Sequence, residues 1–207
     1  MARFLFVWTL LSFLQSGFSA LFAGNKPLEG LYPGFVLTLN GYQLTGQIGD
    51  IMEMNGNHSV IFVNDFGSIY SYHPRMISGF YLKTETNALF YESKFDGKHW
   101  LYLQLLFREK GVSLYQLPVD RIQWIYDKGI SRPFSYPVIE YFLDVSNFSN
   151  PIKLTRATYR KKLMMLFKKR NLDLASKIGK PGYRFQNLPE IIRQFTQSLL
   201  DKEKILL

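Results

Sequence analysis

The chain contains no cysteine, and only three of its 207 residues are histidine. The first absence removes disulfides, thiolate metal sites, a thiol nucleophile and the cysteine-anchored lipoprotein route. The three histidines, His58, His73 and His99, stand apart with no second ligand at a spacing such as His-x-x-x-His. The sequence therefore offers no metal site and implies no cofactor. His73, within "YHPRM", reads as a strand-to-turn junction, and His99 as the end of a hairpin. Gly-x-Ser-x-Gly is missing, and "GKPGYRF" (Gly179–Phe185) lacks the spacing of a phosphate loop. "DFGSIY" has none of the other kinase elements around it. No catalytic residue is named by any of these stretches. A carboxylate pair assembled only in space would leave no trace here.

A long hydrophobic span is also lacking. The longest apolar run, "FLFVWTLLSFL" (Phe4–Leu14), has eleven residues, whereas a membrane helix needs about 20. It follows Met1-Ala2-Arg3 and precedes the small-residue stretch "QSGFSALFAG", which is the three-part layout of a secretory signal. Residues 1–20 are expected to be a cleaved signal peptide. The mature chain is then exported, to the periplasm or the outer-membrane surface, without a transmembrane span. Export without cysteine suits a bacterial envelope better than a disulfide-forming extracellular space.

What the chain has in plenty is aromatic residues (18 Phe, 13 Tyr and 3 Trp) and an uneven charge. From Pro151 onward, 14 basic residues face 4 acidic ones, while the stretch from Ala20 to Asn150 is close to neutral. Between Gly34 and about Leu143 the pattern alternates with period two and is punctuated by turn signals. The alternation predicts a meandering antiparallel domain over 21–150, barrel-like or a sandwich. Its strands are "GFVLTL", "YQLTGQI", "SVIFVN", "SIYSY", "GFYLK", "ALFYES", "WLYLQLLF", "VSLYQL", "RIQWIY" and "VIEYFL". Turns fall at Asn40-Gly41, Asn55-Gly56, Asp65-Phe66-Gly67, Asp96-Gly97, Lys110-Gly111 and Lys128-Gly129. In "WLYLQLLF", Leu101, Leu103, Leu105 and Phe107 share one side and Trp100 and Tyr102 the other, the pattern of a central strand.

Past "SNFSNP" the spacing turns helical, and 151–207 reads as a basic helical segment packed on the β domain. Tyr159, Leu163, Leu166 and Phe167 form one apolar stripe. "LDLASKI" is a short second helix capped by Asn171 and stopped by Gly179. Pro189 opens a last helix with Ile191 or Ile192, Phe195 and Leu199 inward, and "DKEKILL" reads as a fraying end. The fold class is thus α+β: an antiparallel β domain followed by two or three C-terminal helices.

Three segments, "GFVLTLNGYQLTGQI" (Gly34–Ile48), "VIFVNDFGSIYSYHPRMISGFYL" (Val60–Leu82) and "LLFREKGVSLYQL" (Leu105–Leu117), occur in the order of a known pattern. They resemble a family of exported, uncharacterised β-rich proteins of Bacteroidetes-type bacteria. Tyr72, Pro74, Ile77, Gly79 and Phe80 match that family's second element. Gly111, Leu114 and Tyr115 match its third, and Tyr159, Arg160 and Leu163 its C-terminal helix. Tyr42 departs from it, standing where the family has Asp. The resemblance implies export and a shared β-plus-helix fold, and it implies no catalytic activity.

Two candidate surfaces remain. On the basic helix, Lys161, Lys162, Lys168 and Lys169 lie opposite the apolar stripe, with Arg160 at the border and Met165 in the middle. This is either a solvated face or a docking face for an acidic envelope protein or an anionic lipid or glycan. Nucleic acid is excluded as a partner by export. On "RIQWIY", Ile122, Trp124 and Tyr126 share a face, either as core or as an exposed aromatic platform. The functional expectation is a non-enzymatic envelope interaction or accessory protein. The alternatives are a small-ligand or lipid-binding β module and, less favoured, an unrecognised hydrolase.

Overall fold

Alternation of apolar and polar residues builds ten strands, all joined in one sheet. The computed structural model describes residues 30–54, 57–127, 130–146 and 148–205. The expected signal peptide and the turns at Asn55-Gly56 and Lys128-Gly129 lie outside them. The strands are β1 (Tyr32–Thr38), β2 (Gln43–Met54), β3 (Asn57–Asn64), β4 (Ile69–Tyr72) and β5 (Ile77–Lys83). They continue as β6 (Ala88–Phe95), β7 (Trp100–Glu109), β8 (Val112–Asp127), β9 (Ile130–Val145) and β10 (Ile152–Leu154). Every pairing is antiparallel, in the order β10-β9-β8-β7-β6-β5-β1-β2-β3-β4. The sheet is open, with β4 and β10 as its two ends.

One half of the sheet rolls onto itself. Val36, Ile48, Val60, Phe62, Ile77, Phe80 and Leu82 from β1, β2, β3 and β5 meet Tyr102 of β7 in one buried cluster. Aromatic rings fill the concave side: Phe80 stacks on Tyr91 at 4.8 Å and meets Tyr102 edge-on at 5.0 Å. Gly34 and Gly79 are the close-approach points of the roll. A Cβ at either would fall on a backbone carbonyl of the adjacent strand, Tyr81 O or Tyr91 O respectively.

The other half of the concave side is covered by helices. These are α1 (Tyr159–Lys168), α2 (Leu172–Lys177), a 3-10 turn (Phe185–Asn187) and α3 (Leu188–Ile205). Tyr159, Leu163 and Phe167 of the expected stripe are buried, with Leu166 half-buried beside them. They pack with Leu114, Leu143 and Leu154 of the sheet and with Ile191, Ile192 and Phe195 of α3. Each fully buried side chain of this kind contributes about 1.5–3 kcal/mol. Asn171 caps α2 by accepting from Leu174 N–H at 2.9 Å, and Gly179 takes a positive φ of 92° just beyond its end. Among the described residues, no helix is long and apolar enough to cross a membrane.

Four details differ from the sequence reading. "VSLYQL" and "RIQWIY" form the single strand β8, and past Gln116 that strand pairs with β9 alone as a two-stranded ribbon. The three-residue strand β10 lies in the segment read as helical. α3 continues to Ile205, through residues read as a fraying end. Finally, a bulge between Leu105 and Phe107 moves Phe107 across the sheet. Leu105 lies opposite Tyr115 on the convex side, while Phe107 lies opposite Leu114 and packs under the helices.

Candidate functional site

A helix turns about 100° per residue, so on α1 the order around the outer arc is Lys168, Lys161, Met165, Lys169. The first, second and fourth are exposed, and Met165 leaves 67% of its surface in water. A thioether so exposed amid cations covers no core. Two concavities flank it. One, of about 500 Å³, is lined by Ala157, Arg160, Lys161, Met164, Met165 and Lys168. The other, of about 440 Å³, is lined by Phe148, Ile152, Lys162, Met165, Leu166, Lys169 and Arg170. Met165 is therefore the ridge between two hollows, each with cations on its rim.

Lys162 departs from the expected arrangement. Its angular position falls between Lys169 and Leu166, at the edge of the outer arc, and its ammonium donates to Lys153 O of β10 at 2.7 Å. It fastens the helix to the sheet edge instead of facing outward. Arg160, in the first turn, is exposed, and its stem lies against the Gly179 backbone. Among the described residues no carboxylate pairs with Arg160, Lys161, Lys168 or Lys169. Their positive field is left uncompensated at the surface, which is what an anionic partner would neutralise.

The second expected surface sits elsewhere. Trp124 and Tyr126 lie on the β8–β9 ribbon, opposite Pro133 and Ser131. Tyr126 is 76% exposed, and the Trp124 side chain lies outside the described residues. Neither lines the hollows beside Met165, so the two sets of residues form no common site. Exposed apolar side chains also occur at the β1–β2 and β3–β4 turns, namely Leu39, Tyr42 and Phe66. Neither turn carries a basic residue, and no charge pattern selects a partner for them.

The structure brings together one titratable cluster that the sequence does not show. On the convex side, the Glu92 carboxylate accepts from Arg108 (2.6 and 2.7 Å) and from the Tyr115 hydroxyl (2.6 Å). Lys94 bridges Glu92 at 3.4 Å and Asp144 at 2.8 Å. Burial alone would raise the Glu92 pKa. Hydrogen bonds from Tyr115 and Arg108, with the charges of Arg108 and Lys94, outweigh it and hold the carboxyl below its ordinary value. For Lys94, burial is likewise outweighed by Asp144 and Tyr115, and its pKa is raised. Every charged member has its partner inside the group, which ties β6, β7, β8 and β9 together. Its geometry is that of a structural network. The sequence signal was weak because the members are spread over four strands.

His73 and His99 are turn residues. His73 Nδ1 accepts from Arg75 N–H at 3.3 Å, and His99 N–H donates to Asp96 Oδ1 at 2.7 Å. Compared with protein-family models, curated proteins and solved structures, the chain finds no match in any of the three.

Proposed function

We propose that this protein is an exported, non-enzymatic interaction or accessory protein of the bacterial cell envelope, and that it docks an anionic partner through the outer face of α1. The observation that carries this reading is Met165, two-thirds exposed between two hollows and surrounded by Lys161, Lys168 and Lys169, which pair with no carboxylate among the described residues. What sets Met165 apart from other exposed apolar side chains is its place between two hollows with cations on their rims. Long-range attraction from the cations and short-range contact from the thioether are complementary roles in a docking surface. The uneven charge supports it, because the basic excess is confined to the segment that carries α1. Export rests on the N-terminal leader pattern and on the resemblance to exported β-rich proteins.

Partners of the right chemistry are an acidic envelope protein or an anionic lipid or glycan. The test uses tagged full-length protein and its Lys161→Glu/Lys168→Glu/Lys169→Glu variant. Both are crosslinked to native envelopes and, in parallel, incubated with vesicles containing anionic lipid, at low and high salt. The wild type should be captured at low salt, released at high salt, and lost in the variant. Equal capture of both proteins would sink the reading. Capture by vesicles as well as by envelopes would identify lipid as the partner.

A further inference from the structure

A second site lies on the other side of Ala157, which also lines one of the hollows beside Met165. β10 covers β9 only from Tyr141 to Leu143, so among the described residues β9 has no strand on that flank at Glu140 and before. A cleft of about 750 Å³ opens there, walled by Tyr136, Val138, Ile139, Tyr141, Phe185 and Arg156. It adjoins a smaller hollow of about 330 Å³, with which it shares Arg156, Phe185 and Gln186. Arg184, Tyr159 and Gly179 complete the smaller one.

The two compartments differ in chemistry. Two arginines from separate segments line the smaller hollow: Arg156 follows β10, and Arg184 precedes the 3-10 turn. Among the described residues neither has a carboxylate partner. Glu140 also borders the larger cleft, but its carboxylate is engaged by Lys153 at 2.5 Å. Like charges gathered without a counter-ion are the arrangement that a carboxylate or phosphate completes, and guanidinium forks are suited to both.

The larger cleft is mainly apolar. Ile139 leaves 44% of its surface open. Phe185 stands where the compartments meet, held edge-on by Tyr141 at 5.5 Å and Tyr159 at 5.6 Å. A rigid ring therefore separates a cationic end from an apolar end. The larger volume falls within the range of small-ligand sites.

We propose that this cleft binds a single-chain amphiphile, with its carboxylate or phosphate head on Arg156 and Arg184 and its hydrocarbon chain along Ile139, Val138 and Tyr136. The residues assigned to the head group, Arg156 and Arg184, line neither of the hollows beside Met165.

Calorimetric titration of the full chain tests this with four probes: decanoate, decyl phosphate, decanol and inorganic phosphate. At least one of the two anionic amphiphiles should bind at one site per chain, and the tighter of them identifies the head group. Decanol and inorganic phosphate, each lacking half of the ligand, should bind at least about tenfold more weakly. Arg156→Gln/Arg184→Gln should weaken the amphiphile by about tenfold or more, and Arg156→Lys/Arg184→Lys by less. Lys161→Glu/Lys168→Glu/Lys169→Glu should leave it within about twofold, because those residues lie outside the cleft. The proposal is overturned if no amphiphile binds, if decanol matches decanoate, if inorganic phosphate matches decyl phosphate, or if the double glutamine variant binds as the wild type does.

Discussion

Tyr102, near the start of β7, donates its hydroxyl to the carbonyl of Tyr72, the last residue of β4, at 2.9 Å. In sheet order the two strands have five others between them. A closed barrel would join its first and last strands by a ladder. Here a buried tyrosine fastens the free edge of an open sheet, and its ring fills the concave core against Phe80.

Tyr102→Phe keeps the ring and removes the donor, leaving the Tyr72 carbonyl without this bond. Stability should fall by about 1–3 kcal/mol, read as a lower urea midpoint with an unchanged slope. A loss well below that range would mean that the roll is held by ring packing alone.

Much of this architecture could be read from period and turn chemistry. The Tyr159–Leu163–Phe167 stripe set the phase of α1, whereas on β2 only Ile48 of the alternating Leu44, Gly46 and Ile48 is fully buried, Leu44 being 40% exposed near the turn. The misses have physical causes. Pro118 interrupts a strand pattern, yet it is tolerated within β8 because the β7 ladder has already ended at Gln116. The bulge before Phe107 inserts one residue, and a strict period of two carries every later side chain to the wrong face. Arg156 and Arg184 lie on irregular segments far apart in sequence, where no periodicity reports that they share a hollow. The outward arc of α1 was legible apart from Lys162, because a helical wheel does not contain the edge carbonyl that Lys162 finds.

The convex network should make stability depend on acid. The Glu92 pKa in the folded chain is lower than its ordinary value, so the native state binds that proton less readily than the unfolded chain does. Its contribution is fully present above the unfolded value of about 4.3 and is lost as the pH falls through the folded value. At pH 7, Glu92→Gln should cost about 1–3 kcal/mol. The difference between variant and wild type should narrow steadily below pH 4.3, as followed by urea midpoints. A gap independent of pH would assign the effect to packing.

Gly79 is buried where β5 meets β6, and an added Cβ would collide with the Tyr91 carbonyl, which is backbone and cannot swing aside. Gly79→Ala should therefore destabilise the fold by about 1–3 kcal/mol or more. Gly67, which sits in the β3–β4 turn with open space around it, is the control. Its substitution meets only the strain of a positive φ of 81°, about 1 kcal/mol. Thermal denaturation of the two variants should rank them in that order.

Adjacent lysines on α1 should separate stability from docking. Lys162 donates to Lys153 O, whereas Lys161 carries no such bond and stands on the outer arc beside Met165. Lys162→Met removes the ammonium, leaves the Lys153 carbonyl without that donor, and should lower stability by about 1–2 kcal/mol. Salt-sensitive capture by envelopes should remain close to that of the wild type. Lys161→Glu should do the reverse, changing stability by less than about 0.5 kcal/mol while weakening capture. Met165→Ser would weaken capture without altering its salt dependence, because it removes the apolar contact and leaves every charge in place. If Lys162→Met and Lys161→Glu reduced capture equally with no loss of stability, the cations would be acting only as a diffuse field. The Met165 ridge would then have no special part in docking.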